Sequence, residues 1–295
     1  MSMPRNDADE GSELEVFQSL PGRLATRDAQ DLMAYPFFSL AKSKRTVPIT
    51  FRTKEISLRV EGTHEHGIAT IWDADVLIWA ASQIVEARDQ GLPTSRLMAT
   101  TPYEILRFVG RGTGINQYDR LRAALDRLQS TTIATSMRQV AMRRLHRFSW
   151  INEWKERADE AGRPHGISLI LPDWFYTGLL DPSLILTLDP VYFTLSGGIE
   201  RWLYRLVRKH AGRQPAGWQF EFRHLYAKSG SVMRASDFAR YLRRIAFAQA
   251  LPGYQLHVER DKAGNEVLKF RVRTRPPIQR SIRELSRQLT FGSKL

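Results

Sequence analysis

The sequence predicts an α+β fold in which one order of elements occurs twice. Residues 73–171 and 197–273 each show a helix, a shorter helix, a Gly-containing turn, a third helix and β-prone segments around a polar turn. The second repeat ends in a hairpin with one apolar and one cationic face, and the chain around it is strongly basic. A helix-turn-helix followed by a hairpin is the element order of a winged helix. We therefore predict two tandem winged-helix domains.

The domain bounds follow from changes in composition along the chain. Residues 1–31 are acidic and lack an apolar period, which predicts a flexible leader. The segment around 180–182 predicts the boundary between an N-terminal winged-helix domain, 32–180, and a basic C-terminal winged-helix domain, 181–275. Residues 276–295 begin with two prolines and then show apolar residues at helical spacing, which predicts a basic amphipathic tail.

Start and stop signals define the helices of the first domain. A helix over 73–91 ends at a glycine, and the next begins with Thr101 as N-cap and Pro102 at its first position. A third helix over 116–128 shows apolar residues at helical spacing. The stretch 35–62 predicts one or two strands, and further strands around a polar loop follow the third helix.

The second domain contains the most strongly patterned helix of the chain. After a helix over 197–212 and a short helix over 220–230, Ser236 is a good N-cap for a helix over 236–250. Successive residues of a helix are rotated by about 100°, which separates its side chains into two faces. The predicted core face comprises Phe238, Tyr241, Leu242 and Ile245. The predicted outer face comprises Arg240, Arg243 and Arg244.

The hairpin after this helix alternates with period two. Its two strands flank the turn DKAGN, which contains Gly264. In the second strand Leu268, Phe270 and Val272 are predicted on one face. Lys269, Arg271 and Arg273 are predicted on the other face. The simplest interpretation is that the apolar side packs on the core and the cationic side binds a polyanion.

Charge and composition favour nucleic acid as the partner. The net charge is +13, and residues 181–295 hold 21 Lys and Arg against 9 Asp and Glu. A basic half is typical of proteins that bind nucleic acid, and no segment has the bulky apolar face of a lipid-binding helix. We therefore expect no membrane partner, and we expect the fragment 181–295 to bind DNA on its own. The absence of cysteine excludes disulfides and is consistent with a cytoplasmic protein.

The candidate DNA-binding residues lie on the third helix of each domain and on the second hairpin. Their amide, guanidinium and ammonium groups can pair with base edges and phosphates. They are Asn116, Gln117, Arg120 and Arg127 in the first domain, and Arg234, Ser236, Arg240, Arg243, Arg244, Lys262, Lys269, Arg271 and Arg273 in the second. For the helix 116–128 there is an alternative, since Asp119, Arg122 and Asp126 have the spacing of ion pairs along a solvated face.

Three motifs suggest catalysis or a cofactor and are better explained otherwise. GRGTG at 110–114 lacks the ending of a phosphate-binding loop, and HEH at 64–66 has the wrong spacing for a metal site. His210 and Arg213, with Tyr226 or Tyr241, are similar to the strand-cleaving site of tyrosine recombinases. A histidine at a helix C-terminus is more simply a favourable contact with the helix dipole. We predict no cofactor, no metal and no enzymatic activity.

Three stretches resemble a known family. PFFSLAKSKRTVPITF, LPDWFYTGLL and above all LTLDPVYFTLSGGIERWLYRLVRKHAG are similar to the replication initiator protein A family of bacterial plasmids, over about residues 35–273. The resemblance implies an initiator that binds repeated origin DNA through two winged helices. It also implies opening of the duplex, recruitment of host initiator and helicase proteins, and repression of its own synthesis as a homodimer.

Two other functions remain open on the sequence. A transcription regulator with two winged helices would have the same elements and the same charge. A strand-cleaving enzyme that uses Tyr241 with His210 and Arg213 is the alternative from a different class.

Overall fold

The computed structural model of the chain describes residues 14–139, 145–212 and 214–273. Arg213 and the predicted amphipathic tail, 276–295, lie outside the described residues. None of the helices in the described ranges combines the length and the apolar character needed to cross a membrane.

Six of the eight α-helices in the described ranges correspond to predicted ones. The eight are α1 (Gln30–Ala34), α2 (Ala74–Asp89), α3 (Pro102–Phe108), α4 (Ile115–Ser130), α5 (Asp173–Leu180), α6 (Gly198–Ala211), α7 (Phe222–Ser229) and α8 (Ala235–Phe247), of which α1 and α5 were not predicted. Short 3-10 turns at Pro182–Leu184 and Pro190–Thr194 connect α5 to α6.

In the part of the chain that the structure describes, the strands form four small sheets. They are β1 (Phe17–Gln18), β2 (Arg27–Ala29), β3 (Ile49–Arg52), β4 (Ser57–Glu61), β5 (Leu97–Thr100), β6 (Thr132–Thr135), β7 (His146–Ser149), β8 (Glu153–Ala158), β9 (Pro164–Ile170), β10 (Ile185–Thr187), β11 (Trp218–Glu221), β12 (Tyr254–Arg260) and β13 (Glu266–Val272).

The order of elements is repeated, as the sequence indicates. The first unit runs α2, β5, α3, α4, β8, β9, and the second runs α6, β11, α7, α8, β12, β13. In both units the last strand pairs between the other two, so the sheet orders are β5-β9-β8 and β11-β13-β12. β5 and β11 were not predicted, and Phe220 and Glu221 were predicted to lie in a helix. Each of these strands has four residues, which is too short for a clear period.

The first unit also carries a separate antiparallel sheet. Its strand order is β3-β4-β6-β7, and it is inserted before α2 and between α4 and β8. Its buried side chains join those of α2 and α5 in the larger hydrophobic cluster, while α6, α8 and the sheet of the second unit form the other cluster. Most residues of α2 are buried, because this helix packs against both clusters.

The N-caps of α3 and α8 show that the predicted start of α3 is correct and that the predicted start of α8 is wrong. Thr101 and Glu104 form a capping box at α3, with Pro102 at the first position, as predicted. The prediction of Ser236 as the N-cap of α8 is wrong. Arg234 is the N-cap, and its carbonyl accepts from the amides of Asp237 and Phe238 at 3.0 Å. The N-cap therefore lies two residues earlier than predicted, and α8 has no side-chain cap.

The prediction of a flexible leader over 1–31 is wrong for the part that the structure describes. Phe17 in β1 pairs in register with Met98 of β5, and Asp28 in β2 pairs with Leu186 of β10. Phe17 and Asp28 are buried. Short strands that pair with distant segments leave no apolar period of their own, and the acidic residues around them conceal their role.

Among the described residues, two buried ion pairs connect α6 of the second unit to segments before the predicted boundary, to α2 and to β2. Arg205 of α6 donates from Nε to Asp28 Oδ2 at 2.7 Å and from Nη2 to Oδ1 at 3.0 Å. Arg201 of α6 donates to both oxygens of Asp75 in α2, at 3.1–3.2 Å. All four side chains are at most 3% exposed. Because an unpaired buried charge is costly, these pairs hold the second unit in one orientation against the first.

Candidate nucleic-acid interface

The outer face of α8 is cationic, as its period predicts. Phe238, Leu242 and Ile245 are buried in the core of the second unit, and Tyr241 is half-buried against it. Arg240, Arg243 and Arg244 are exposed on the other side. The sequence therefore predicted the orientation of this helix correctly.

Within the described residues the three arginine side chains contact α8 itself or the neighbouring strand β13. Arg240 pairs with Asp237 at 3.0 Å, and Arg244 lies over the Tyr241 ring at 4.5 Å. Arg243 donates to both carboxylate oxygens of Glu266 at 2.7 and 2.8 Å, and these hydrogen bonds lower the pKa of Glu266. Exposed pairs of this kind contribute little stability, so these guanidinium groups can exchange an intramolecular partner for a base or phosphate.

Phe247 extends the arginine stripe by one turn. It lies three and four residues after Arg244 and Arg243, and it is 94% exposed. A single exposed apolar side chain is common at protein surfaces, so Phe247 matters here only through its position on the arginine face. In the major groove an apolar side chain can contact the methyl group of thymine.

The cations of the second hairpin lie on a different face. Leu268 and Phe270 are buried on the inner face of the sheet, so by alternation Lys269 and Arg271 point outward, away from α8. Lys269 pairs there with Glu259 at 2.5 Å.

Two neighbours at the end of the hairpin complete this outer surface. Arg271 donates to Gln255 at 2.9 Å, and Arg273 is exposed at the end of the strand. Val272 was predicted on the apolar face but is 44% exposed, because the core ends at Phe270. Lys269 and Arg271 therefore point away from the face that carries the α8 arginines, and their contact with DNA stays a prediction.

Three further candidates lie close to the outer face of α8. Arg234 and Ser236 are exposed at its start. Lys262 is exposed in the turn between β12 and β13, which Asp261 closes by accepting from the amides of Ala263 and Asn265 at 2.9 Å. The turn lies beside Glu266, the partner of Arg243, so it is adjacent to the arginine stripe.

Of the four candidate DNA-binding residues on α4, three are at least partly exposed and one is held in an ion pair. Asn116 and Arg120 are exposed and Gln117 is half-buried. Arg127 instead donates to both oxygens of Asp73 at 2.7 and 2.8 Å, and hydrogen bonding to Asp73 raises the pKa of Arg127. The prediction that Arg127 contacts DNA finds no support, because its guanidinium group holds α4 against the start of α2.

The ion pairs expected along α4 form only in part. Arg122 lies 3.9 Å from Asp119 and 2.7 Å from Glu156 of β8. Asp126 accepts from Trp154 Nε1 at 3.1 Å instead of pairing along the helix.

The two motifs that suggest a phosphate-binding loop and a metal site lie in loops without the geometry of such sites. GRGTG at 110–114 connects α3 to α4 and does not follow a strand. In the HEH loop His66 Nε2 is 3.8 Å from Glu65. Among the described residues no group of three or more His, Cys, Asp or Glu is arranged to hold a metal ion.

His210, the candidate of the strand-cleaving alternative, lies in an aromatic cluster. Its ring stacks on Trp218 and meets Phe220 edge-on, at centroid distances of 5.8 and 4.9 Å. Its Nε2 is buried and has no hydrogen-bond partner among the described residues. Tyr226 donates to the carbonyl of Met233 at 2.8 Å. This surrounding is typical of a packed histidine.

We expect the stability of the protein to fall in acid partly because of His210. Burial, with Lys209, Lys228 and His224 nearby, lowers the pKa of His210 to about 4. Between pH 6.5 and 4 the unfolded chain then binds the proton and the folded chain does not, so stability falls as the pH drops through this range. Replacing His210 by phenylalanine should make the free energy of unfolding less dependent on pH there.

Urea unfolding at pH 7 and 4.5 measures this difference. His257→Gln, on the exposed face of β12, is the matched control and should keep the wild-type dependence. The pKa of His224 is also lowered by burial, so some dependence should remain in His210→Phe. An unchanged dependence in His210→Phe would contradict the assignment.

Comparison with known proteins gives consistent results for sequence and fold. The family model described as replication initiator protein A matches residues 27–256. A protein of Wigglesworthia glossinidia brevipalpis named as a replication protein is 29% identical over 228 residues, which is 76% of this chain and 82% of that protein.

Two solved structures have a similar fold. A crystal structure of domains 2 and 3 of RctB, a selenomethionine derivative, has a TM-score of 0.58 and 14% identity, covering 83% of this chain and 99% of that chain. Another crystal structure of RctB domains 2–3 has a TM-score of 0.54 and 13% identity, covering 83% of this chain and 96% of that chain.

Proposed function

Since this chain belongs to the replication initiator protein A family, we propose that it binds the origin DNA of a plasmid sequence-specifically and starts replication there. The observation that carries the proposal is the exposed face of α8. Three arginines and Phe247 form one stripe on a helix that precedes a β-hairpin. Such a helix is suited to the major groove, where guanidinium groups recognise guanine.

We propose that both units are winged helices. In each, the helix before the hairpin, α4 or α8, corresponds to the recognition helix. The repeated element order and the similarity in fold to a two-domain fragment of RctB support this assignment. Two such helices in one chain suit a site that is longer than one turn of the duplex.

The two helices should contribute unequally to DNA binding. α8 presents three exposed arginines, whereas α4 presents Asn116, Gln117 and Arg120. We propose that α8 supplies most of the base recognition, and that cations around both helices hold phosphates and fix the register.

The remaining parts of the proposed function depend on family membership. They are opening of the duplex, recruitment of host initiator and helicase proteins, and repression of its own promoter as a homodimer in the cytoplasm. We propose no covalent chemistry and no cofactor, because His210 packs in an aromatic cluster and Tyr241 stacks under Arg244.

Footprinting on the DNA beside the encoding gene tests the proposal, together with replication of a small plasmid that carries this region. We expect protection of clustered direct repeats and replication that requires the protein. Specific protection of a promoter without repeats, with replication independent of the protein, would identify a transcription regulator. A covalent adduct on a nicked suicide substrate would identify a strand-cleaving enzyme.

A further inference from the structure

The 41–45 loop, with sequence AKSKR, lies between the exposed faces of α4 and α8. On one side a cavity of about 820 Å³ is lined by Lys42, Lys44 and Arg120 of α4. On the other side a cavity of about 530 Å³ is lined by Lys42 and Arg244 of α8. The loop therefore brings the two proposed recognition helices onto one continuous surface.

Lys42 and Trp72 form the ridge between the two cavities. Both residues line each cavity, and Lys42 Nζ lies 5.7 Å from the centroid of the Trp72 ring. An exposed lysine that lies over an aromatic ring is attracted to it only weakly. The ridge thus places a positive charge between α4 and α8.

Contacts with both units hold the loop in place. The Arg45 guanidinium group donates to the carbonyl of Gly230, in the turn before α8, at 2.5 Å and to that of Val47 at 2.8 Å. The Arg45 carbonyl accepts from the amide of Ile68 at 2.8 Å. A side chain at Gly67 would collide with Lys44 and Arg45, so the backbone approaches closely there. A loop anchored in this way loses little conformational entropy when it binds a partner.

Among the described residues the cations of this surface form no ion pair, and Lys44 Nζ donates to the carbonyl of Glu65 at 3.4 Å, while half of the carboxylates are already engaged. The ion pairs of the described residues do not include Lys42, Lys44, Arg120 or Arg244. Four acidic residues also line the two cavities. They are Glu65, Asp73, Asp126 and Glu200. Arg127 neutralises Asp73, and Trp154 donates to Asp126.

We propose that the 41–45 loop is a phosphate-binding element of the DNA site. Lys42 and Lys44 contact the DNA backbone between the bases contacted by α4 and those contacted by α8. This inference rests on the proposed function, because it requires that α8 contacts the same duplex. The loop contributes affinity without sequence preference, since phosphates carry no base identity.

The double variant Lys42→Ala/Lys44→Ala tests the role of the loop. The dissociation constants for the footprinted site and for a random duplex are measured as a function of salt concentration. Loss of two phosphate contacts should reduce the slope of log K against log salt by about two and weaken both complexes about 10- to 30-fold at 0.15 M salt. The ratio between specific and random binding should stay unchanged.

Two matched variants make the test specific. Lys54→Ala/Lys155→Ala removes two exposed lysines that do not line either cavity, and it should keep the wild-type slope. Lys42→Arg/Lys44→Arg retains both charges and should also keep it. A wild-type slope in Lys42→Ala/Lys44→Ala, with specificity still lost in Arg244→Ala, would overturn the loop assignment alone. If the wild-type protein binds no DNA site specifically, the proposed function itself fails.

Discussion

Replacing Asp28 by alanine should lower the free energy of unfolding by about 3–5 kcal/mol, because it leaves the buried Arg205 cation without its partner. Both side chains are at most 2% exposed, and two hydrogen bonds join them. Burial would lower the pKa of Arg205, but Asp28 together with Tyr192 and Asp75 outweighs burial and raises that pKa, so the arginine stays charged. Burial also raises the pKa of Asp28, although the Arg205 cation opposes this rise. Urea unfolding at pH 7 measures the loss.

Two further variants separate the charge effect from packing. In Asp28→Ala/Arg205→Met the buried cation is gone, and we expect most of the lost stability to return, since apolar replacements of buried pairs are often neutral. Glu61→Ala breaks the exposed pair with Arg59 and should change stability little, because solvent screens exposed charges. A loss in Asp28→Ala no greater than that in Glu61→Ala would show that the buried pair contributes no more than a surface pair.

The same ion pairs affect the prediction that the fragment 181–295 binds DNA on its own. A fragment that begins at 181 would contain Arg201 and Arg205 without Asp75 and Asp28. We therefore no longer expect 181–295 to fold and bind DNA on its own, and the DNA-binding experiments require the full chain.

Single replacement of Arg240, Arg243 or Arg244 by alanine should weaken binding to the footprinted site about 5- to 150-fold at fixed salt. A paired arginine–guanine contact contributes about 1–3 kcal/mol of discrimination, which corresponds to this range. Binding to random duplex should weaken less, because only the base contact is specific. Fluorescence anisotropy with the two duplexes measures both dissociation constants.

Arg59→Ala is the matched control for these variants. Arg59 is also an exposed arginine in an ion pair, but it lies on β4, outside the proposed interface. Its replacement should leave both dissociation constants unchanged. If none of the three α8 variants differs from Arg59→Ala, the arginine face of α8 is only solvated and the recognition helix must be sought elsewhere.

The sequence correctly predicted those features of the fold that depend on residues close together in the chain. The period of α8 placed its arginines outside and its apolar residues inside, and Thr101 with Pro102 marked the start of α3. The hairpin turn and the family membership were likewise contained in local patterns. Cap residues, turn residues and helical periods act within one or two turns of chain, so a linear sequence displays them.

The net charge did not indicate which of the cationic side chains are free to bind DNA. Arg201, Arg205 and Arg127 counted toward the basic excess, but carboxylates from distant segments neutralise all three. Lys269 and Arg271 are exposed, yet the sheet turns them away from α8. The loop at 41–45 was assigned no role, although three of its five residues are cations.

Only the tertiary structure decided which cations share a surface. Lys42 and Lys44 lie between α4 and α8 because Arg45 is anchored at Gly230, a contact across 185 residues of chain. The strands β1 and β2 are held by pairing with β5 and β10, and the partner of Arg205 is Asp28 of β2. Such contacts are selected by shape, burial and charge when the core assembles. The residues that make them carry no local pattern from which a sequence could reveal them.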